Sequence, residues 1–131
     1  MIKNSLVALV LLGACGSSNN TTADAPRAID GPPPTIVEVT CPATPAATVT
    51  TSDAAFAYTP AMTTITQGQV VKFTMSGSHN VVPGHAAADS TKTDSGMNVG
   101  FGAMKCLMFT QTGTYGFHCL PHQFNGTITV Q

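Results

Sequence analysis

The chain of 131 residues is poor in charge, and its few charges nearly cancel. Charged residues make up 8% of it, against roughly 25% in ordinary domains, and the formal net charge is −1. The sequence therefore offers no basic surface for nucleic acid and no acidic surface for a cationic partner. Its length allows one domain once segments without apolar periodicity are set aside.

The first residues predict export and membrane attachment. One lysine precedes the apolar run 6–12, which is too short to span a bilayer as a helix and indicates a signal peptide over residues 1–14. The tetrad Leu-Gly-Ala-Cys at 12–15 resembles the bacterial lipobox, which implies a lipid on Cys15. Because Gly16 follows, the resemblance implies outer-membrane sorting in a host with two membranes, facing the periplasm or the cell surface. The alternative is an ordinary signal peptide with a chance cysteine.

Residues 15–34 predict a flexible tether. They are rich in Ser, Asn, Ala, Asp, Gly and Pro, and they show no apolar periodicity. Such a stretch buries too little surface to offset its chain entropy. The folded domain is therefore expected over residues 35–131.

This domain shows short β-like runs separated by turn residues, in an order that predicts an antiparallel β-sandwich. No run keeps helical spacing, and the polar, Gly-rich segment 83–102 is expected to cross the surface as a loop. In the third strand of the stretch 54–76, Val71, Phe73 and Met75 share one face. The runs lie at 35–40, three times within 54–76, and at 103–109, 114–119 and 126–130.

The four cysteines divide into separate roles in an exported protein. Cys15 would carry lipid, and Cys119 lies three residues before His122. We predict a disulfide between Cys41 and Cys106, and closing a loop of about 65 residues would contribute roughly 4 kcal/mol. A pairing of Cys119 with either of them is the alternative, and it would leave the histidines without a thiolate.

The segments "GSHNVV" and "YGFHCLPH" supply two histidines and one cysteine suited to a metal site. Period-two geometry places Cys119 on the inward face of strand 114–119, together with Tyr115 and Phe117, while His118 points outward. Two imidazoles with one thiolate form the ligand set of a blue-copper electron-transfer site. The sequence therefore predicts one copper ion held by His79, Cys119 and His122.

The pieces "AYTPAMTTITQGQVVKFTM", "HNVV", "GTYGFHCLPH" and "GTITV" together resemble the cupredoxins, especially the plastocyanin and amicyanin groups. The resemblance implies a single-domain, eight-stranded Greek-key β-sandwich with the metal at one end. It implies that His79, Cys119 and His122 are the ligands, that Asn80 joins the two ligand loops, and that His122 is the electron exit. A docking patch around it is hypothesised from short apolar residues: Val82, Pro83, Leu120, Pro121 and Phe124.

The axial position departs from the family pattern. Amicyanin-like loops place a methionine three residues after the second histidine, but Asn125 stands there and no methionine follows Cys119. Three interpretations remain open. The position is vacant or apolar, Asn125 or Gln123 offers an amide oxygen, or a distant methionine reaches it. The methionines in question are Met97, Met104 and Met108.

The function predicted is a membrane-anchored electron carrier, monomeric and not an enzyme, that serves redox protein partners. The alternatives are a copper-delivery module and a metal-free domain used for interaction. A structural zinc site is disfavoured because such sites usually close with four protein ligands. His118 and His85 are interpreted as solvated surface residues, and Met62, Met75, Met104 and Met108 as core filler.

Overall fold

The structure is a computed structural model, and it describes residues 32–131. The predicted signal peptide, Cys15 and most of the predicted tether lie outside the described residues. Strands are the only regular elements between residues 32 and 131, where no helix is present. That part of the chain accordingly contains no helix of the length and apolarity that crossing a membrane requires.

Within residues 32–131, nine strands form two sheets, which confirms the predicted all-β sandwich with one strand more than the resemblance implied. One sheet has the order β1-β7-β5-β2-β3, and the other has the order β4-β9-β8-β6. The strands are β1 (Ile36–Val39), β2 (Ala47–Ser52), β3 (Ala55–Thr59), β4 (Met62–Ile65), β5 (Val70–Thr74), β6 (Val82–Pro83), β7 (Met104–Phe109), β8 (Gly113–His118) and β9 (Asn125–Val130).

The sheets are mixed rather than purely antiparallel. β2 runs parallel to β5, and β4 runs parallel to β9, while the other strand pairs are antiparallel. β2 escaped the sequence analysis because its sequence, ATVTTS, contains a single fully buried residue, Val49. It lies between β5 and the edge strand β3, and this edge of the sheet is near the predicted ligands.

The core fills the space between the sheets with the side chains that alternation predicts. Val71 and Phe73 of β5 face Tyr115 and Phe117 of β8 across it, and all four are almost completely buried. Phe73 and Phe117 meet edge to face, with ring centroids 5.5 Å apart. Because Phe117 points into the core, alternation predicts that the side chain two residues later, at position 119, points inward as well.

The segment between β6 and β7 enters the core, contrary to the expectation of a surface loop. Met97 and Val99 are 1% and 0% exposed, and Val99 forms a β-bridge with Val81. Met75 is also buried, as expected, whereas Met62 and Met104 are 76% and 54% exposed and are therefore not core filler. Alternation explains their exposure, because both lie on outward-facing positions of their strands.

The structure joins Cys41 to Cys106 by a disulfide, the pairing predicted from the sequence. Val39, the last residue of β1, pairs with Cys106 in the sheet, which brings Cys41 close to β7. The link ties the segment that follows β1, the edge strand, to its neighbour β7, the second strand of the five-stranded sheet. Cys119 remains a buried free thiol.

Candidate metal centre

His79, Cys119 and His122 converge at one end of the sandwich, as the sequence predicts. The Sγ atom of Cys119 lies 3.6 Å from Nδ1 of His79 and 3.6 Å from Nδ1 of His122, and the two nitrogens are 3.0 Å apart. They form the only group of three or more potential His, Cys, Asp or Glu ligands found among residues 32–131.

The end of β2 and the turn after it hold the segment that carries His79 in place through two residues, Ser52 and Asp53. Nε2 of His79 lies 3.1 Å from the main-chain oxygen of Ser52, at the end of β2. Because a carbonyl only accepts, Nε2 carries the proton and Nδ1 keeps a lone pair for a metal. Next to it, Ser78 donates hydrogen bonds from its main-chain N–H and its hydroxyl to Asp53, which lower the pKa of that carboxyl. The turn between β2 and β3 therefore anchors the first ligand.

Cys119 immediately follows β8. The alternation of that strand and a main-chain hydrogen bond determine where its side chain points. It is 0% exposed and continues the inward face of Tyr115 and Phe117. Its N–H donates to the main-chain oxygen of Phe124, 3.1 Å away, which closes the loop that carries His122. Gly126 in β9 permits this packing, because a Cβ there would overlap the Phe117 ring.

His122 lies in a tight turn and is the only partly exposed ligand of the three. The N–H of Gln123 donates to the main-chain oxygen of Cys119, 2.8 Å away, and Gln123 adopts a positive φ of 60°. This turn brings the imidazole back over Cys119. The rings of Phe56 and Phe124 flank it, with centroids 4.7 and 6.4 Å from the centroid of His122.

Asn80 joins the two ligand loops, as the resemblance implied. Its Oδ1 accepts a hydrogen bond from the main-chain N–H of Leu120, 2.9 Å away. Its main-chain oxygen accepts the hydroxyl of Tyr58 at 2.6 Å. Burial raises the pKa of Tyr58, and the nearby Cys119 raises it further, so that the hydroxyl stays protonated and donates. The residues next to both buried ligands are thus connected to each other and to β3.

Asn125 does not face the three donor atoms. It pairs with His118 across β8 and β9, and cross-strand partners share one face of a sheet. That face is opposite to the one that carries Cys119. The Oδ1 atom of Asn125 accepts a hydrogen bond from the main-chain N–H of Ala86, 2.7 Å away. This placement counts against Asn125 as an axial ligand.

The other proposed axial donors have different positions. The amide Nε2 of Gln123 donates to the main-chain oxygen of Leu120 at 2.5 Å, in an exposed part of the turn. Met104 and Met108 lie on the outward face of β7, because Leu107 and Phe109 occupy its buried face. Met97 is buried in the core, and its axial role stays a hypothesis.

The two remaining histidines, interpreted from the sequence as solvated surface residues, contact other parts of the protein. Nδ1 of His118 lies 2.7 Å from the main-chain oxygen of Gly84, and the residue is partly buried rather than fully solvated. His85 pairs with Asp89 through Nδ1, and its Nε2 lies 3.0 Å from the main-chain oxygen of Gly126. His85 thereby attaches the segment after β6 to the outer face of β9. The contacts with Gly84 and Gly126 were not predicted, because these partners are 34 and 41 positions away in the sequence.

The surface around His122 contains the apolar residues of the hypothesised patch in different degrees of exposure. Leu120 is 57% exposed and Pro121 is also exposed, whereas Val82, Pro83 and Phe124 are only partly so. Phe56, at 68%, is the exposed aromatic residue that the sequence analysis missed. The sequence held one signal for its direction. Phe56 lies two residues before Tyr58 in β3, so alternation predicts that both side chains point to the same side of the strand, the side that faces the core.

The donor set and its geometry fit a copper ion. The centre of the triangle formed by the three donor atoms lies about 2 Å from each, close to ordinary metal–nitrogen distances and slightly short for a thiolate. A soft thiolate with two imidazole nitrogens suits copper in both of its common oxidation states. His79, Cys119 and His122 would hold the ion.

Comparisons with known proteins agree with this fold and site. The sequence profile of the family described as "Copper binding proteins, plastocyanin/azurin family" matches residues 45–131. No curated protein matches the chain.

Among solved structures, amicyanin from Paracoccus versutus (Thiobacillus versutus) is 19% identical, with a TM-score of 0.56 over 75% of this chain and 99% of its own. A reduced amicyanin mutant is also 19% identical, with a TM-score of 0.57 over 74% of this chain and 99% of its own. The Cu(I) form of another amicyanin mutant shows 19% identity and a TM-score of 0.53, with coverage of 74% and 99%.

The two-sheet fold and the His-Cys-His cluster define a cupredoxin domain. The chain belongs to the plastocyanin/azurin family of copper-binding proteins, a family of electron-transfer proteins. Copper is therefore its cofactor.

Proposed function

We propose that this protein carries single electrons between redox protein partners, as a monomer attached to the cell envelope through a lipid on Cys15. The observation that carries the redox part of the proposal is the donor triangle itself. Its three atoms lie 3.0–3.6 Å apart, two of the ligands are completely buried, and only His122 reaches the surface.

The residues around the triangle favour rapid electron transfer by limiting movement. Bound copper supplies one-electron chemistry, since this donor set accepts both Cu(I) and Cu(II). Ser52 fixes the orientation of His79, and Asn80 links the neighbouring residue to the loop of Cys119. A scaffold held in this way changes little between oxidation states, so little reorganisation opposes the transfer. The proposal gives the protein a carrier's role rather than that of an enzyme.

We also propose that no side chain in the loop 119–125 supplies a strong axial ligand. Asn125 lies on the opposite sheet face, and the amide nitrogen of Gln123 is directed to Leu120. A vacant, apolar axial position should raise the reduction potential, whereas an axial oxygen should lower it by favouring Cu(II). Protein-film voltammetry would test this, and a potential typical of an axial oxygen donor would contradict it.

The carrier role is tested by rapid mixing of the reduced copper protein with small one-electron oxidants and by its electron self-exchange rate. The proposal predicts fast, fully reversible exchange of one electron per copper. Copper binding without reversible redox cycling would favour the copper-delivery alternative. A protein that does not bind copper would favour the metal-free interaction domain.

The membrane attachment requires a separate experiment on the full chain. In a bacterial host that processes lipoproteins, labelled fatty acid should enter the wild-type protein and remain absent from Cys15→Ser. The wild type should fractionate with envelope membranes, with the outer membrane in a host that has two. Release of both proteins into the soluble fraction would contradict the anchor.

A further inference from the structure

His122 is the ligand that hydrogen bonds constrain least. His79 is oriented by Ser52, and the N–H of Cys119 is bonded to Phe124. Within residues 32–131, the only hydrogen-bond-range neighbours found for the His122 imidazole are the other two donor atoms, Sγ of Cys119 and Nδ1 of His79. Contacts with neighbouring rings must therefore determine how this imidazole is oriented.

Two phenylalanines provide such contacts on His122. The Phe124 ring is almost parallel to the imidazole, with an interplanar angle of 7°, but its centroid is 6.4 Å away. Phe56 is closer, with a centroid distance of 4.7 Å and a tilt of 48°. Aromatic rings attract each other at centroid distances of about 4.5–7 Å, and the shorter distance gives Phe56 the larger share.

The position of Phe56 in β3 explains why it reaches this ligand. Alternation places Phe56 on the same side of β3 as Tyr58, which is 2% exposed and lies in the core. Phe56 is two residues nearer the metal end, and there it also meets the His79 ring at 6.1 Å. It remains 68% exposed, so burial in the core does not account for its aromatic side chain.

We infer that Phe56 is a positioning residue, which holds the His122 imidazole with Nδ1 directed at the copper ion. The inference deepens the proposed function, since it concerns the same copper centre. Removing the Phe56 ring leaves all three donor atoms in the protein. It removes one of the two phenylalanine contacts that limit rotation of the exposed ligand and leaves those with Phe124 and with the His79 ring, so His122 should leave the copper more readily.

The test compares substitutions that separate the aromatic ring from apolar bulk. Phe56→Leu and Phe56→Met keep an apolar side chain without the ring, and Phe56→Tyr keeps the ring. Phe101→Leu is the matched control, because Phe101 is a second exposed phenylalanine (54%) and is not among the rings of residues 32–131 that contact His79 or His122. The readouts are the rate at which a Cu(I) chelator such as bicinchoninate removes copper, and the EPR spectrum of the oxidised protein.

Loss of one aromatic contact should make copper release from Phe56→Leu and Phe56→Met about three to ten times faster than in the wild type. Their EPR spectra should contain a second copper species, while Phe56→Tyr and Phe101→Leu should behave as the wild type does. Unchanged release and an unchanged spectrum in the two non-aromatic variants would overturn the inference, and so would an equal acceleration in Phe101→Leu.

The proposed function can fail independently of this inference. A wild-type protein without a thiolate-to-copper absorption band would defeat the proposed electron carrier. A wild-type protein that shows this band, together with a Phe56→Leu protein identical to it, would defeat only the role of Phe56.

Discussion

Asn80 accepts, through its side-chain oxygen, a hydrogen bond from the main-chain N–H of Leu120 at 2.9 Å. Asn80 follows the ligand His79, and Leu120 follows the ligand Cys119. A single contact thus connects the two segments that carry the buried ligands. Because Asn80 is only 7% exposed, water cannot easily replace its side chain.

Replacing Asn80 with alanine should loosen this connection. Loss of one hydrogen bond with a partly buried partner should lower the free energy of unfolding of the apoprotein by about 1 kcal/mol and should speed copper loss. Urea unfolding and chelator competition measure the two effects. Asn98→Ala, at an exposed asparagine, is the control and should change stability by less than about 0.5 kcal/mol. Equal effects in both variants would contradict the role of Asn80.

Alanine substitutions at Asn125 and Gln123 should leave the copper spectrum unchanged. Asn125 lies on the outer face of β9, and Gln123 is exposed in the turn, where its amide nitrogen donates to the main-chain oxygen of Leu120. Asn125→Ala should still destabilise the protein modestly, since it removes the contact with Ala86. Visible absorption and EPR check the prediction. A shifted thiolate-to-copper band in either variant would identify that residue as an axial donor.

Removing the disulfide should cost the apoprotein much of its stability. The bond between Cys41 and Cys106 joins residues 65 positions apart, and constraining the unfolded chain over such a loop contributes about 4 kcal/mol. The double variant Cys41→Ser, Cys106→Ser should therefore unfold at a much lower urea concentration. Cys119→Ser, which leaves the disulfide intact, is the control. If the double variant unfolds together with that control, the stabilising role is wrong.

The contacts of Asp89 should make stability fall at acidic pH. The hydroxyl and main-chain N–H of Thr91, and then His85, lower the pKa of Asp89 from 3.8 to about 2. Because its folded-state pKa is depressed, Asp89 contributes its stabilisation above about pH 4 and loses it as the pH falls toward 2. Unfolding measured over this range should show a steeper loss in the wild type than in Asp89→Asn.

An NMR titration of the Asp89 carboxyl provides the direct check of that pKa. Thr91→Val removes the hydroxyl donor and should move the titration of Asp89 upward toward 3.8. A wild-type carboxyl that already titrates at 3.8 would show that these hydrogen bonds do not form in solution.

Local patterns in the sequence predicted the sandwich and the position of Cys119. Tyr115, Phe117 and Cys119 alternate with Gly116 and His118, and the structure buries the first three as period-two geometry requires. The same rule applied to β9 could have excluded Asn125. Gly126, Ile128 and Val130 form its buried face, so Asn125 belongs to the other face.

The features that were missed depend on contacts between segments far apart in the chain. β2 has one fully buried residue and is defined by its pairing with β5 and β3. Met97 is buried although its neighbours in the sequence are polar. Val99, two residues later, forms a β-bridge with the buried Val81, and this pairing places the segment in the core. The contact of Phe56 with His122 joins an edge strand to a turn 66 positions later, so alternation with Tyr58 indicates the side of β3 on which Phe56 lies but not this partner.

The central claim is that Cys119 binds copper as a thiolate together with His79 and His122. We would titrate the purified protein with Cu(II) and record visible absorption and EPR spectra, with Cys119→Ser as the matched variant. The account predicts one copper per protein and an intense thiolate-to-copper band that is absent from the variant. A pale Cu(II) spectrum that is the same in both proteins would contradict it.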